Sequence, residues 1–175
     1  MGDNQNSTHP PRKNLRGFAC HIRALVNRLV REEFPELAPV QVCLYGPKDA
    51  LAQWNEWVLL DGRVLRCVSL CAAGSRETRP FYLNADDEEL RVILRHELIH
   101  GEMKRRGQPW GDRDFPFILE CLRRRTIVNP DSVRALESIY GRGSFETFQT
   151  FLPPAETVTI LLPESAGVWL RKTGR

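Results

Sequence analysis

Several stretches of the chain carry apolar residues at the three-and-four spacing of an amphipathic α-helix. The first covers residues 14–34 and ends at Pro35, which cannot continue a helix. The most regular covers residues 85–106, with acidic residues in its first turn, basic residues in its last turn and Gly107 directly after it. We predict two shorter helices, one from Pro116 to about residue 126 and one over residues 131–140.

Short apolar runs between the first two helices predict β-strands. Residues 40–45 form one run, and residues 57–60 and 63–70 form two more on either side of Asp61-Gly62. This dipeptide favours a tight β-hairpin, because both of its residues tolerate positive φ. Residues 80–83 predict another strand, which we expect at a sheet edge, where its proline is tolerated.

This order of elements is typical of an α+β domain, and a length of 175 residues suits a single domain. We expect residues 1–13 to be a disordered tail and residues 14–152 to form the folded domain. Residues 153–175 are expected to form a C-terminal hairpin and tail, with strands over residues 157–162 and 168–171.

Composition excludes several classes of protein. With 42% hydrophobic and 27% charged residues, the chain is neither disordered throughout nor membrane-spanning. Its first residues have no apolar secretion signal, so we expect a cytoplasmic protein. The five cysteines include no Cys-x-x-Cys pair, which argues against a disulfide framework and a zinc ribbon, and we expect buried thiols at Cys67 and Cys71.

The most informative motif is His-Glu-x-x-His at residues 96–100, inside the most regular predicted helix. Residues four apart lie on one helix face, so His96 and His100 can bind one metal ion with Glu97 beside it. A catalytic zinc has three protein ligands and a water, whose proton a neighbouring glutamate can accept. The composition of the chain predicts on the order of 0.01 such motifs by chance. We therefore expect Zn²⁺ as cofactor, with Glu97 as the general base.

The third zinc ligand remains open at this stage, because no histidine follows His100. Asp114, at the start of the next predicted helix, and Glu120, inside that helix, are the two main candidates. Asp112 is a weaker candidate, and Cys121 is weaker still.

The segment from residue 79 to residue 124, RPFYLNADDEELRVILRHELIHGEMKRRGQPWGDRDFPFILECLRR, resembles the core of SprT-like zinc metalloproteases. The resemblance implies a zincin-like fold in which the motif helix is followed by a second helix. Asp114 stands where that family has its third histidine. The resemblance also implies protein or peptide substrates, including proteins associated with DNA.

A second resemblance follows from the spacing of His100 and Glu120, which is similar to that of thermolysin-like gluzincins and of ImmA/IrrE-like peptidases. Their third ligand is a glutamate on the following helix. The two resemblances imply the same chemistry and differ in the third ligand.

Basic residues cluster at Lys104–Arg106 and at Arg123–Arg125, although the net charge of the chain is only +3. Such clusters can contact the phosphates of DNA or lie on a solvated helix face. The sequence thus predicts a zinc-dependent endopeptidase, with DNA as a further partner. The alternative is a catalytically inactive zincin-like module that binds protein or DNA.

Overall fold

The structure, a computed structural model, describes residues 15–46, 50–73, 82, 84–126 and 130–144. Within these ranges it is an α+β fold with four α-helices, one short 3₁₀ helix and a three-stranded mixed sheet. In chain order the elements are α1 (Leu15–Glu33), the 3₁₀ helix (Pro35–Leu37), β1 (Val40–Cys43), β2 (Ala52–Val58), β3 (Val64–Leu70), α2 (Asp87–Arg105), α3 (Phe115–Arg123) and α4 (Pro130–Tyr140).

The sheet has the order β1-β3-β2, with β1 parallel and β2 antiparallel to β3. The predicted hairpin is confirmed, with β2 and β3 paired from Ala52 opposite Leu70 to Val58 opposite Val64. Its first strand differs from the predicted run at residues 57–60, because β2 begins at Ala52 and ends at Val58. Gly62 lies in the turn with a φ of 79°, a conformation that glycine adopts without strain. In the described part of the sheet, β2 is an edge strand.

Helix α2 begins with a capping box, which fixes where its first turn starts. The Asp86 side chain accepts from the Glu89 N–H at 2.8 Å, and the Glu89 side chain accepts from the Asp86 N–H at 2.8 Å. The helix ends before Gly107, whose φ is 66°. The motif residues 96–100 therefore lie in the interior of a well-capped helix, as predicted.

The hydrophobic core lies where α1, α2 and one face of the sheet meet. Nearly the whole face of α2 from Leu90 to Met103 is buried. The buried face of α1 follows the predicted helical spacing and comprises Phe18, Ile22, Leu25, Val26, Leu29 and Val30. Cys67 and Cys71 are buried as predicted, and none of the five cysteines, all of which are described, forms a disulfide.

Helix α2 approaches β2 closely at Gly101. The indole of Trp54 packs on this glycine so tightly that a Cβ added there would lie 2.4 Å from the ring. Glycine is therefore required at this helix position by packing, although it disfavours a helix on its own.

The segment before α2 differs from its prediction. Tyr82 and Asn84 have helical backbone, so the strand predicted over residues 80–83 is wrong at Tyr82. Tyr82 is buried, and its hydroxyl donates to the carbonyl of Leu51, the residue just before β2. No sequence pattern signals that contact.

Two other predictions fall on residues that the structure does not describe, namely the tail at residues 1–13 and the hairpin within residues 153–175. None of the helices in the described ranges is both long enough and apolar enough to cross a bilayer.

Replacing Gly101 by Ala should lower the free energy of unfolding by about 2 kcal/mol, because the new methyl group overlaps the Trp54 ring and the core cannot yield there without strain. The matched control is Gly17→Ala, at an exposed position of α1, which should leave stability unchanged or raise it by up to about 1 kcal/mol. Urea denaturation followed by circular dichroism measures both. Equal effects of the two substitutions would contradict the packing described.

Candidate metal centre

The two motif histidines lie one helical turn apart on α2 and face the same point. Their Nε2 atoms are 3.2 Å apart, and both side chains are nearly buried. Two imidazole nitrogens at this distance repel each other unless a proton or a cation lies between them. The arrangement predicted for His96 and His100 is therefore present.

The third polar group of the cluster is the carboxylate of Asp112, in the loop between α2 and α3. Its Oδ1 lies 3.2 Å from His96 Nε2 and 3.5 Å from His100 Nε2. The same oxygen is buried and has no hydrogen-bond partner among the described residues. Zinc bonds of about 2.1 Å in a tetrahedral arrangement place neighbouring ligands about 3.4 Å apart. The three observed distances fit that value, and the set of two imidazoles and one carboxylate suits zinc.

The backbone of the same loop orients His100. Its Nδ1 lies 2.6 Å from the carbonyl oxygen of Trp110, which can only accept, so Nδ1 carries the hydrogen. The lone pair of His100 then lies on Nε2, which faces the cluster. In metal-binding histidines, the ring nitrogen that does not bind the metal commonly donates to a carbonyl or carboxylate in this way, which fixes the tautomer and the ring orientation.

A thiol makes the corresponding contact to His96. Its Nδ1 lies 3.8 Å from Sγ of Cys121, a buried residue of α3. Burial raises the pKa of this thiol, which keeps it neutral and makes it a weak acceptor. Phe117, also on α3, stacks on the His100 ring at 4.1 Å and meets the His96 ring edge-on at 5.2 Å. Helix α3 therefore holds both imidazoles from the side opposite the sheet.

The charge of the cluster favours a cation. Burial acts to raise the pKa of Asp112, but the two facing imidazoles outweigh it and hold that pKa well below the ordinary value. Asp112 is thus an ionised carboxylate beside two imidazoles, with its Oδ1 buried and its side chain 41% exposed.

Glu97 lies beside the cluster on the β2 side of α2. Glu97 is 6% exposed, and the backbone N–H of Trp54 lies close enough to its carboxyl group to lower the pKa slightly. Burial raises the pKa of Glu97, and the neighbouring histidines oppose that shift. The predicted base is therefore buried and close to both imidazoles.

The structure does not bring Asp114 into the cluster, so this part of the predicted ligand set is corrected. Its Oδ2 accepts from the Gly111 N–H at 2.7 Å, which folds the loop back on itself. Asp114 occupies the N-cap position of α3, but its side chain makes no capping bond to that helix. Asp112, the weaker candidate from the sequence, takes the place that we expected for Asp114.

Glu120 is likewise engaged elsewhere. Its carboxylate accepts from Arg123 at 2.8 Å and from Arg124 at 2.6 Å. These guanidinium groups, Arg123 first, lower the pKa of Glu120. Glu120 is therefore held by two arginines and is not part of the cluster of His96, His100 and Asp112.

Helix α4 makes a hydrogen bond that holds the loop that carries Asp112. The buried hydroxyl of Ser132 donates to the carbonyl oxygen of Asp112. The Asp114 N–H also donates to the Gly111 carbonyl at 2.8 Å. The position of Asp112 thus depends on contacts distant in sequence, which is why the motif alone did not single it out.

The two basic clusters are largely paired with acids inside the fold. Lys104 lies 3.4 Å from Glu56, and Arg105 lies 3.6 Å from Glu36. Arg106 pairs with Glu102 at the end of α2, and Arg123 and Arg124 pair with Glu120 at the end of α3. Arg124 also pairs with Glu102, and this ion pair joins α3 to α2. These contacts supply no support for the predicted DNA contact, which stays a prediction.

Comparison of the chain with protein-family models, with curated proteins and with solved structures finds no match. The resemblance to SprT-like metalloproteases therefore rests on the motif residues themselves.

The third ligand can be tested by zinc titration. Asp112→Ala should weaken zinc binding at least about 100-fold, because it removes a ligand and the only negative charge in the cluster. Glu120→Ala should leave affinity unchanged, and Asp114→Ala should weaken it less than Asp112→Ala does, through the loop. Competition with a chromophoric chelator measures the affinities. A larger loss of zinc affinity in Asp114→Ala or Glu120→Ala than in Asp112→Ala would contradict the assignment of Asp112 as the third ligand.

The thiol contact gives a second prediction. Cys121→Ala should weaken zinc binding about tenfold, because His96 loses the acceptor that orients its ring. Cys121→Ser keeps an acceptor and should retain most of the affinity. The visible spectrum of the Co²⁺-substituted protein should show a change of ligand field in the alanine variant only. Identical spectra and affinities for all three proteins would show that the contact has no such role.

Proposed function

We propose that this protein is a zinc-dependent endopeptidase with a zincin-like active site of the SprT-like kind. The observation that carries the proposal is the convergence of His96, His100 and Asp112 beside the buried carboxylate of Glu97. Two nitrogen ligands and one oxygen ligand leave a fourth tetrahedral position for water, as in catalytic zinc sites.

His96, His100 and Asp112 would hold the metal. Bound zinc lowers the pKa of a coordinated water and polarises the carbonyl that the water attacks. The Trp110 carbonyl and the Cys121 thiol keep the two imidazole rings in the orientation that binding needs.

Glu97 supplies the proton transfers. Its carboxylate takes a proton from the attacking water as the new C–O bond forms at the peptide carbonyl. It then gives that proton to the departing nitrogen as the C–N bond breaks, so that the base is regenerated. Burial suits this role, because a carboxylate with a raised pKa releases the proton less readily to solvent than an exposed one.

The position of the substrate follows from the hydrogen-bond pattern of the hairpin. The Leu59 N–H donates to the Arg63 carbonyl, and the Cys71 N–H donates to the Leu51 carbonyl. Bonded pairs alternate along an antiparallel ladder, so the odd-numbered residues of β2 are the ones that bond to β3. The backbone groups of the even-numbered residues therefore point to the outer edge of the sheet.

Trp54 is one of these outward-facing residues, and its N–H lies close to the Glu97 carboxyl group. A peptide that pairs with the outer edge of β2 would therefore pass beside the base. Strand addition of this kind binds a substrate through its backbone and leaves its side chains to determine specificity.

Glu97→Gln should abolish cleavage of fluorescein-labelled casein by the zinc-loaded protein, with a loss of at least about 1000-fold, because the amide cannot accept the proton. Zinc content and thermal stability should stay close to those of the unchanged protein. The control Glu88→Gln alters an exposed glutamate of the same helix and should retain full activity.

An outcome in which both proteins cleave at the same rate would exclude Glu97 as the base. If the unchanged protein binds zinc but cleaves nothing, the inactive binding module is the better description.

A further inference from the structure

The tip of the β2–β3 hairpin exposes an unusual number of large apolar side chains. Val58 is 74% exposed, Trp57 is 48% exposed and Leu60 is fully exposed. Leu59 and Val64 beside them are also exposed. Several exposed large apolar side chains close together in the chain of a small protein commonly mark a binding site. We refer to these five residues as the apolar tip.

The charges at the apolar tip indicate which kind of partner can bind there. Its turn contains one acid and one base, Asp61 and Arg63, and these two side chains pair at 2.6 Å. No net charge is therefore available there to attract nucleic acid or anionic lipid. An apolar and uncharged partner fits this surface better.

The apolar tip lies at the end of the β2 edge that passes Glu97, the proposed base. Val58 and Trp54 are four residues apart on β2, and the backbone groups of both point to the outer edge. At a rise of about 3.3 Å per residue, the two positions are about 13 Å apart. A peptide paired with this edge beside Glu97 would thus reach Val58 with the residue four positions from the scissile bond.

The C-terminal end of helix α2 packs near the part of β2 that leads to the apolar tip. Lys104, near its C-terminal end, lies 3.4 Å from Glu56 of β2 and 5.7 Å from the ring centroid of Trp110. Trp110 is itself 43% exposed and belongs to the loop that carries Asp112. The loop that carries Asp112 and the C-terminal end of α2 therefore lie near Glu56, two residues before Val58.

We propose that the apolar tip is a secondary substrate-binding site that recognises aliphatic or aromatic side chains four to six residues from the scissile bond. This inference rests on the proposed peptidase function. It names the substrate class as extended polypeptide segments rich in apolar residues, which folded proteins bury and unfolded proteins expose.

The test uses the full chain with zinc and two variants. Val58→Thr combined with Leu60→Ser removes apolar surface from the tip, and threonine keeps the β-branched shape that suits a strand. Ile139→Ser is the matched control, because Ile139 is a comparably exposed apolar residue on α4. Three fluorogenic peptides share one cleavage sequence. The first has six residues. The second has sixteen residues, with leucines four to six residues from the scissile bond on both sides, and the third has serines in place of those leucines.

The unchanged protein should cleave the leucine peptide with a kcat/KM about tenfold above that of the serine peptide, mainly through a lower KM, because one or two aliphatic side chains become partly buried. The tip variant should lose this preference and cleave the six-residue peptide at the normal rate. Ile139→Ser should behave like the unchanged protein. A preference that survives in the tip variant, or that is absent from the unchanged protein, overturns the inference.

Binding separates this inference from the proposed function. Fluorescence anisotropy of the labelled leucine peptide on Glu97→Gln measures occupancy without cleavage. Tighter binding of the leucine peptide than of the serine peptide, lost when the tip substitutions are added, supports the secondary site even if no peptide is cleaved. Equal binding of both peptides overturns it, whether or not the protein is an active peptidase.

Two other occupants would each overturn the assignment. Concentration-dependent dimerisation in sedimentation, lost in the tip variant, would show that the tip binds a second copy of the chain. Binding to phosphatidylcholine vesicles that depends on the tip, without peptide selectivity, would show that it binds a lipid surface.

Discussion

Two imidazole nitrogens and one carboxylate oxygen face one another at 3.2 to 3.5 Å in a partly buried junction between α2, α3 and the loop that joins them. Lone pairs at such distances repel one another unless a proton or a cation lies between them. The surrounding structure maintains this arrangement. The Trp110 carbonyl and the Cys121 thiol direct the rings inward, and Phe117 packs against both of them.

The packing of α2 on the sheet places Glu97 between this cluster and β2. Gly101 lets the Trp54 indole lie against the helix, and the Trp54 backbone lies close to the Glu97 carboxyl group. One residue of β2 therefore contacts the helix at Gly101 and lies beside the buried carboxyl group. The ion pair between Glu102 and Arg124 joins α2 to α3 on the other side. The metal centre is thus held between two interfaces of one helix.

Local signals in the sequence were sufficient for the helices, the hairpin and two of the three clustered residues. The capping residues define α2, Asp61-Gly62 defines the hairpin, and the four-residue spacing puts His96 and His100 on one face. Each of these signals depends on neighbours within a few positions in the chain.

The remaining features depend on contacts between distant segments. The position of Asp112 depends on Ser132 of α4, twenty residues away, and a local hydrogen bond from Gly111 keeps Asp114 out of the cluster. The helical backbone at Tyr82 is accompanied by its contact with Leu51, which lies far away in sequence. The outer edge of β2 could be recognised only once the strand order was known.

X-ray absorption at the zinc edge tests the central claim most directly, because it reports the atoms bound to the metal without relying on activity. Protein loaded with one equivalent of zinc should show only nitrogen and oxygen neighbours at about 2.0 to 2.2 Å, with the outer-shell scattering of two imidazoles. A sulfur neighbour at about 2.3 Å, the distance of a thiolate ligand, would contradict the account, as would a spectrum without imidazole scattering.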